Sequence, residues 1–450
     1  MNEVGPGRRT AVIGWVLAVV MLWLAFRGAL RHAGFMPTDL PAWQNDWKGV
    51  VGCLVGASGA LPCAEPISKF PLAYLGNSLL FRSGFDRGQL LLALVNGLAL
   101  AVPPVMLAFS QGFGALRRAG WPYFLAVALS PLPMFYIATG ALEVQAGVFC
   151  GVYMGAFARI LASPDLRAGT RTAWVAVISG LIFPLYKDTA ALLVGTAALG
   201  TLVWRFKSLH ALASTKPGRE RLWRTALVLA GPVLLGQFLD LGYCWFKYGV
   251  PLPLAYLTEA AEAGPSYVKS AEFLLGSLLS PNGGIVIFWF LPVFIAVLGW
   301  RLAGLEIQRT TVFLACATAV VFWVALSRWW TPFGWDGWGN RLMVPAMVAV
   351  IAALPFGMRP RQRAAKPPLN WAVCLACAPF VVYSFYYVAI PYSQSQARSM
   401  QDSLRPGPDC ARMSEHLATP QASAFWRSEL YYSCASERML YMPRPHIRTH

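Results

Sequence analysis

Apolar runs of 17 or more residues recur along the whole 450-residue chain, and nothing else narrows its possible folds as sharply. A run of that length, wound as a helix, reaches across the hydrocarbon core of a bilayer. Only 13% of the residues are charged and 57% are hydrophobic. Soluble domains carry about 25% charged residues. The chain therefore reads as an all-α integral membrane protein that crosses the bilayer many times.

Taken in order, the candidate spans fall at 11–30, 89–110, 121–142, 144–163, 172–186, 188–204, 225–246, 284–301, 310–327, 340–357 and 370–390, about eleven in all, the one at 172–186 being shorter than the rest. The first is too long for a signal-peptide core and lacks a clean small-residue cleavage site, so it reads as an uncleaved helix. Residues 33–88 form a long first loop with apolar positions that suggest short helices at the interface. Only Lys187 and Asp188 separate the fifth and sixth runs. This divides the chain into a transmembrane domain over 1–390 and a polar tail over 391–450.

The net charge of +17 could suggest a nucleic-acid partner, but the basic residues lie mostly in short loops between spans. With the N-terminus inside, the cytoplasmic pieces hold 18 Lys and Arg against four acids, and the opposite loops hold nine against ten. That bias is the positive-inside signature. It gives a multi-pass protein of the cell membrane with a cytoplasmic N-terminus and an extracytoplasmic C-terminus, and membrane lipids rather than nucleic acid around it. No zinc-type Cys/His spacing, P-loop or Gly-rich nucleotide fingerprint occurs.

Several polar residues then share the outer face. Asp46 lies in the first outer loop, beside Trp43, Asn45, Trp47 and Lys48, with Asp39 and Glu65 nearby. Glu143 lies in the second outer loop, Lys187 and Asp188 in the third, Tyr248 in the fourth. The stretch 328–345 between two apolar runs holds four tryptophans, three glycines, Asp336 and Arg341. Such a stretch is either an aromatic-belt turn or a surface site for an anionic headgroup. A guanidinium at the mouth of a span can grip a phosphate through two hydrogen bonds, or simply snorkel to the headgroups. Lys187-Asp188 reads as an ion pair fixing a hairpin, or as a cation facing a phosphate and an acid facing a hydroxyl. Asp46 reads as a loop acid paired with Lys48, or as a general base. Asp240, inside a span, reads as a hydrogen-bonded acid or a proton relay. Cys53 with Cys63, and Cys410 with Cys434, are two pairs on the oxidising side that could form disulfides.

Three segments in order carry a resemblance. The first is Lys247-Tyr-Gly-Val-Pro-Leu-Pro-Leu-Ala-Tyr256, which follows a span. The second is Leu278-Leu-Ser-Pro-Asn-Gly-Gly-Ile-Val-Ile-Phe-Trp-Phe-Leu-Pro292, which opens the next. The third is the Trp-rich turn running into Gly339-Asn-Arg-Leu-Met-Val-Pro345. This ordered trio resembles the polytopic GT-C glycosyltransferases of bacteria, relatives of the dolichyl-phosphate-mannose-dependent mannosyltransferases. The resemblance implies a multi-helix membrane fold with an outer-face site, a polyprenyl-phosphate sugar as donor and a lipid or glycan as acceptor. It implies inverting transfer without a metal or other cofactor, and a catalytic acid in the first outer loop, where Asp46 stands. Here Asp46 is followed by Trp47 and Lys48, where many relatives carry a His or Tyr, so Asp39 and Glu65 stay as alternatives. Arg341 and Lys187 are the expected donor-phosphate ligands, with Asp188, Glu143, Asp336 and Tyr248 as further site candidates. The competing reading is a transporter or flippase for a lipid-linked sugar.

Overall fold

The computed structural model describes residues 6–30, 71–80, 85–137, 143–163, 166, 169–248, 250–251, 270–271, 274–275, 277–278, 285, 289, 291–328 and 341–361. In chain order the helices are α1 (Pro6–Leu30), α2 (Pro71–Leu80), α3 (Phe85–Ala99), α4 (Val102–Gln111), α5 (Phe113–Ala128), α6 (Pro131–Tyr136), α7 (Glu143–Ala162), α8 (Thr170–Tyr186), α9 (Asp188–Trp204), α10 (Phe206–Ala213), α11 (Lys216–Tyr248) and α12 (Leu291–Leu302). Strand β1 (Leu305–Ile307) and helix α13 (Arg309–Leu326) follow. A 3-10 turn (Arg341–Met343) leads into α14 (Val344–Ala353), and a second (Leu354–Gly357) leads into β2 (Met358–Pro360).

The bundle is built on α7. Of its apolar window 89% is buried, against 22% for those of α1 and α11. Gly147, Gly151 and Gly155 fall four apart, so they line one face of α7. That face takes α14. A Cβ on Gly147 would lie 2.7 Å from Val348 Cβ, one on Gly155 would lie 2.7 Å from Phe356 Cδ2, and one on Gly151 would meet the Ala349 carbonyl. Lipid tails are as apolar as leucine, so membrane helices associate by close packing, which small residues permit. Numbers rise together along this contact, so α7 and α14 run parallel. Helices α8 and α11 are also parallel, Gly180 meeting Pro232 and Gly236 meeting Leu181 and Pro184. Helix α12 packs antiparallel to α5, where Trp300 Nε1 donates to Ala119 O at 2.9 Å.

The loops read as cytoplasmic converge at one end. Gln111 Nε2 and Arg159 Nη1 both donate to Phe356 O, at 3.0 and 3.2 Å. Trp15 Nε1 donates to Arg117 O at 3.1 Å. β1 and β2 pair antiparallel, with Leu305 opposite Pro360, and Gln308 N donates to Gly357 O at 2.9 Å. This short ribbon departs from the all-α expectation. It satisfies backbone groups that leave two neighbouring helices at the edge of the apolar region.

Several limits also move. The expected span 121–142 is two helices, α5 starting at Phe113 and α6 at Pro131. Ser130, before Pro131, is extended (φ −95, ψ 97), as a pre-proline residue prefers. The expected span 225–246 begins earlier, at Lys216, because Lys216–Arg224 can stay helical in water. Five helices are long and apolar enough to cross a membrane among the described residues, and α9 with α10 makes a sixth, bent by 70°. Helices at Thr170–Tyr186, Pro292–Leu302 and Val344–Gly357 are apolar but shorter. The expected run at 370–390 and the tail at 391–450 lie outside the described residues.

Candidate functional site

The end opposite the ribbon gathers the starts of α7 and α14 and the turn between α8 and α9. Glu143 is the first residue of α7 and is 4% exposed. A carboxylate there faces the positive end of the helix dipole. Because α7 and α14 are parallel, Arg341, which opens the turn into α14, lies at this same end.

Lys187 is the single residue between α8 and α9. It is extended (φ −162, ψ 103) and half-buried, and its N–H donates to Phe183 O at 3.2 Å. Asp188 starts α9. Tyr186 stacks on Phe149 of α7, with centroids 5.6 Å apart and planes 8° from parallel, which ties this turn to the first turns of α7. Tyr248 ends α11, whose parallel course with α8 brings it to this end too. Arg328, just past α13, directs Nη1 to Ser270 Oγ at 3.4 Å, and Ser270 Oγ donates to Ser327 O at 2.9 Å.

Buried amides tie the helices together at this end. Asn77 of α2 and Gln145 of α7 exchange hydrogen bonds, Gln145 Nε2 to Asn77 Oδ1 at 3.2 Å and Asn77 Nδ2 to Gln145 Oε1 at 3.4 Å. Asn96 Nδ2 donates to Ile137 O at 2.7 Å. None of these three residues was among the sequence candidates. Their signal was an amide in an apolar setting, which must find a partner once buried.

Asp240 is 1% exposed and accepts from Gln237 Nε2 at 3.5 Å, the hydrogen-bonded reading of that acid. Asp46, Asp336, Asp39, Glu65, Cys53, Cys63, Cys410 and Cys434 lie outside the described residues. Among the described cysteines, Cys150 and Cys316 are free thiols.

From this end an open apolar groove of about 1110 Å³ runs between α9 and α11. Tyr153 and Phe157 of α7 form part of its floor, Leu192, Leu199 and Leu202 one wall, and Leu222, Leu229 and Val233 the other. Thr189 and Gln237 stand at the end nearest Lys187. Tyr153 fixes the floor by donating its hydroxyl to Leu229 O at 3.0 Å. Neither wall differs in sequence from an ordinary span, so only the packing of the helices reveals the groove.

No protein-family profile matches the chain. No curated protein matches it either. Two solved structures are similar to it, each over 95% of this chain and 77% of theirs. One is the crystal structure of ArnT from Cupriavidus metallidurans bound to undecaprenyl phosphate, at 13% identity and TM-score 0.47. The other is ArnT from the same organism in the apo state, at 14% identity and TM-score 0.42.

Proposed function

We propose that this protein is a membrane glycosyltransferase that moves a sugar from a polyprenyl-phosphate donor to a lipid or glycan acceptor, with inversion. One observation carries the reading: Lys187, Glu143 and Arg341 share the end of the bundle where the apolar groove begins. A long isoprenoid chain suits such a groove, and its phosphate would then meet fixed cations at the groove's mouth.

In this reading the acceptor hydroxyl attacks the anomeric carbon from the face opposite the phosphate. The new glycosidic C–O bond forms as the bond from the anomeric carbon to phosphate oxygen breaks. The hydroxyl proton passes to Asp46, and the electron pair leaves with the polyprenyl phosphate. Arg341 and Lys187 neutralise that leaving group, Arg341 through paired hydrogen bonds. Asp188, Glu143, Asp336 and Tyr248 are the candidates for binding sugar hydroxyls. Fixed cations take the part a metal could otherwise play.

The test is donor binding and single-turnover transfer on the same purified variants. Asp46→Asn should bind donor normally and lose roughly 10²–10⁴ in rate, the usual effect of removing a general base. Arg341→Ala should lower both donor affinity and rate, and Arg341→Lys should restore only part. Full activity in Asp46→Asn with loss in Asp39→Asn or Glu65→Gln would move the base. Movement of lipid-linked sugar across liposomes without its consumption would replace the reading with a flippase.

A further inference from the structure

At the ribbon end, away from the proposed transfer site, a polar cavity of about 410 Å³ lies between the α9–α10 bend and the start of α13. Arg205, Arg309 and Arg359 line it, with Ser208, Thr310 and Trp204. Arg205 Nε is buried there without a hydrogen-bond partner. Burying a guanidinium N–H unpaired is unfavourable, so the position calls for an acceptor. Helix α13 adds its N-terminus, where Gln308 provides no side-chain cap. First-turn amides and the helix dipole favour an anion at that place. Among the described residues, the carboxylate beside the cluster is Glu306, which accepts from Arg359 Nε at 2.7 Å. One acid against three guanidiniums leaves the cavity strongly cationic.

The surroundings say what kind of anion. A second cavity of about 490 Å³ shares Arg205 and Ser208 with the first and continues over Leu209 and Leu212. Trp204 stacks on Phe313 of α13, centroids 4.8 Å apart, forming an apolar wall beside the arginines. The place sits at the end of membrane-length helices, where lipid headgroups lie. A ligand that fits has a phosphate at one end and hydrocarbon at the other.

We propose that this cavity binds the phosphodiester of an anionic phospholipid, with Arg205, Arg309 and Arg359 on the phosphate and the acyl chains leaving over Leu209 and Leu212. Such a site is independent of the glycosyltransferase reading and stands if that reading fails.

The experiment titrates the delipidated, detergent-purified full chain with phosphatidylglycerol, phosphatidylcholine and inorganic phosphate, read by native mass spectrometry. Phosphatidylglycerol should bind best. The double variant R205Q/R309Q should weaken it about tenfold or more, since each charge-assisted hydrogen bond lost is worth roughly a factor of ten. R171Q, a basic change at the same end but outside the cavity, should stay within about twofold of wild type, as an exposed single charge does. In parallel, phosphatidylglycerol carrying a photoreactive group near its phosphate is crosslinked to the wild-type protein in nanodiscs. Labels should fall on peptides covering 204–213 and 305–312. This arm decides the matter should the double variant fail to fold. Equal binding of phosphatidylcholine, displacement of the lipid by millimolar phosphate, wild-type affinity in R205Q/R309Q, or labels elsewhere would each overturn the proposal, the phosphate result pointing to a free-anion site instead.

Discussion

Gly151 shows how much a single atom decides in this bundle. Its missing Cβ is the space that the Ala349 backbone of α14 occupies. Gly151→Leu should destabilise the protein by about 1–3 kcal/mol or more, as overpacking does. Gly200→Leu, with nothing within 4 Å of its Cβ position, should leave the melting temperature in detergent nearly unchanged. Equal shifts in both would show that side-chain bulk in lipid, and not the α7–α14 contact, sets the stability. Single charges in apolar context were legible before the structure: Glu143, Lys187, Asp188 and Arg341 announce themselves because ionised groups near a bilayer core need a reason. Asn77 and Gln145 were not legible, because the partner that makes each tolerable lies 68 residues away.

Between elements, the amide pair and the ribbon make opposite predictions. Asn77→Ala leaves the buried Gln145 amide unpaired and should cost about 1–3 kcal/mol. Asn77→Leu with Gln145→Leu should recover much of that loss. A double-mutant cycle on thermal unfolding in detergent checks it, and additive losses would mean the two side chains do not act as a pair. Glu306 and Arg359 pair in the open, their side chains 35% and 52% exposed. Removing both should change stability by no more than about 1 kcal/mol. The helices themselves were largely legible from apolar run length. Their ends were less so: α5 begins in a stretch read as loop, since Arg117 and Arg118 look like loop residues yet helix tolerates them at an interface. The break at Lys187 was legible from charge and the end of α9 at Trp204 from the extent of the apolar run, but α10 was not, because Lys207 and His210 lie in a stretch read as loop.

At the scale of the whole molecule, the charge count and the packing describe the same two-ended object. Loops rich in Lys and Arg meet around Phe356 and the ribbon, and the candidate site lies at the other end. Reporters fused after Lys216 and after Arg361 should therefore read one side of the membrane, the inside, and one fused after Lys187 the other. A reporter after His450 should also read outside. Opposite readings at Lys216 and Arg361 would contradict the cavity that Arg205 and Ser208 share with Arg359. The α7–α14 contact also sets a timetable. Val348 is made about 200 residues after Gly147, which at typical synthesis rates of 5–20 residues per second is roughly 10–40 s. Throughout that interval α7 must wait in the bilayer with its glycine face uncovered and Glu143 and Gln145 at its leading end. Nascent chains stalled before α14 are thus the form that membrane quality control meets, and chains released there should be degraded while those completed through Pro360 persist.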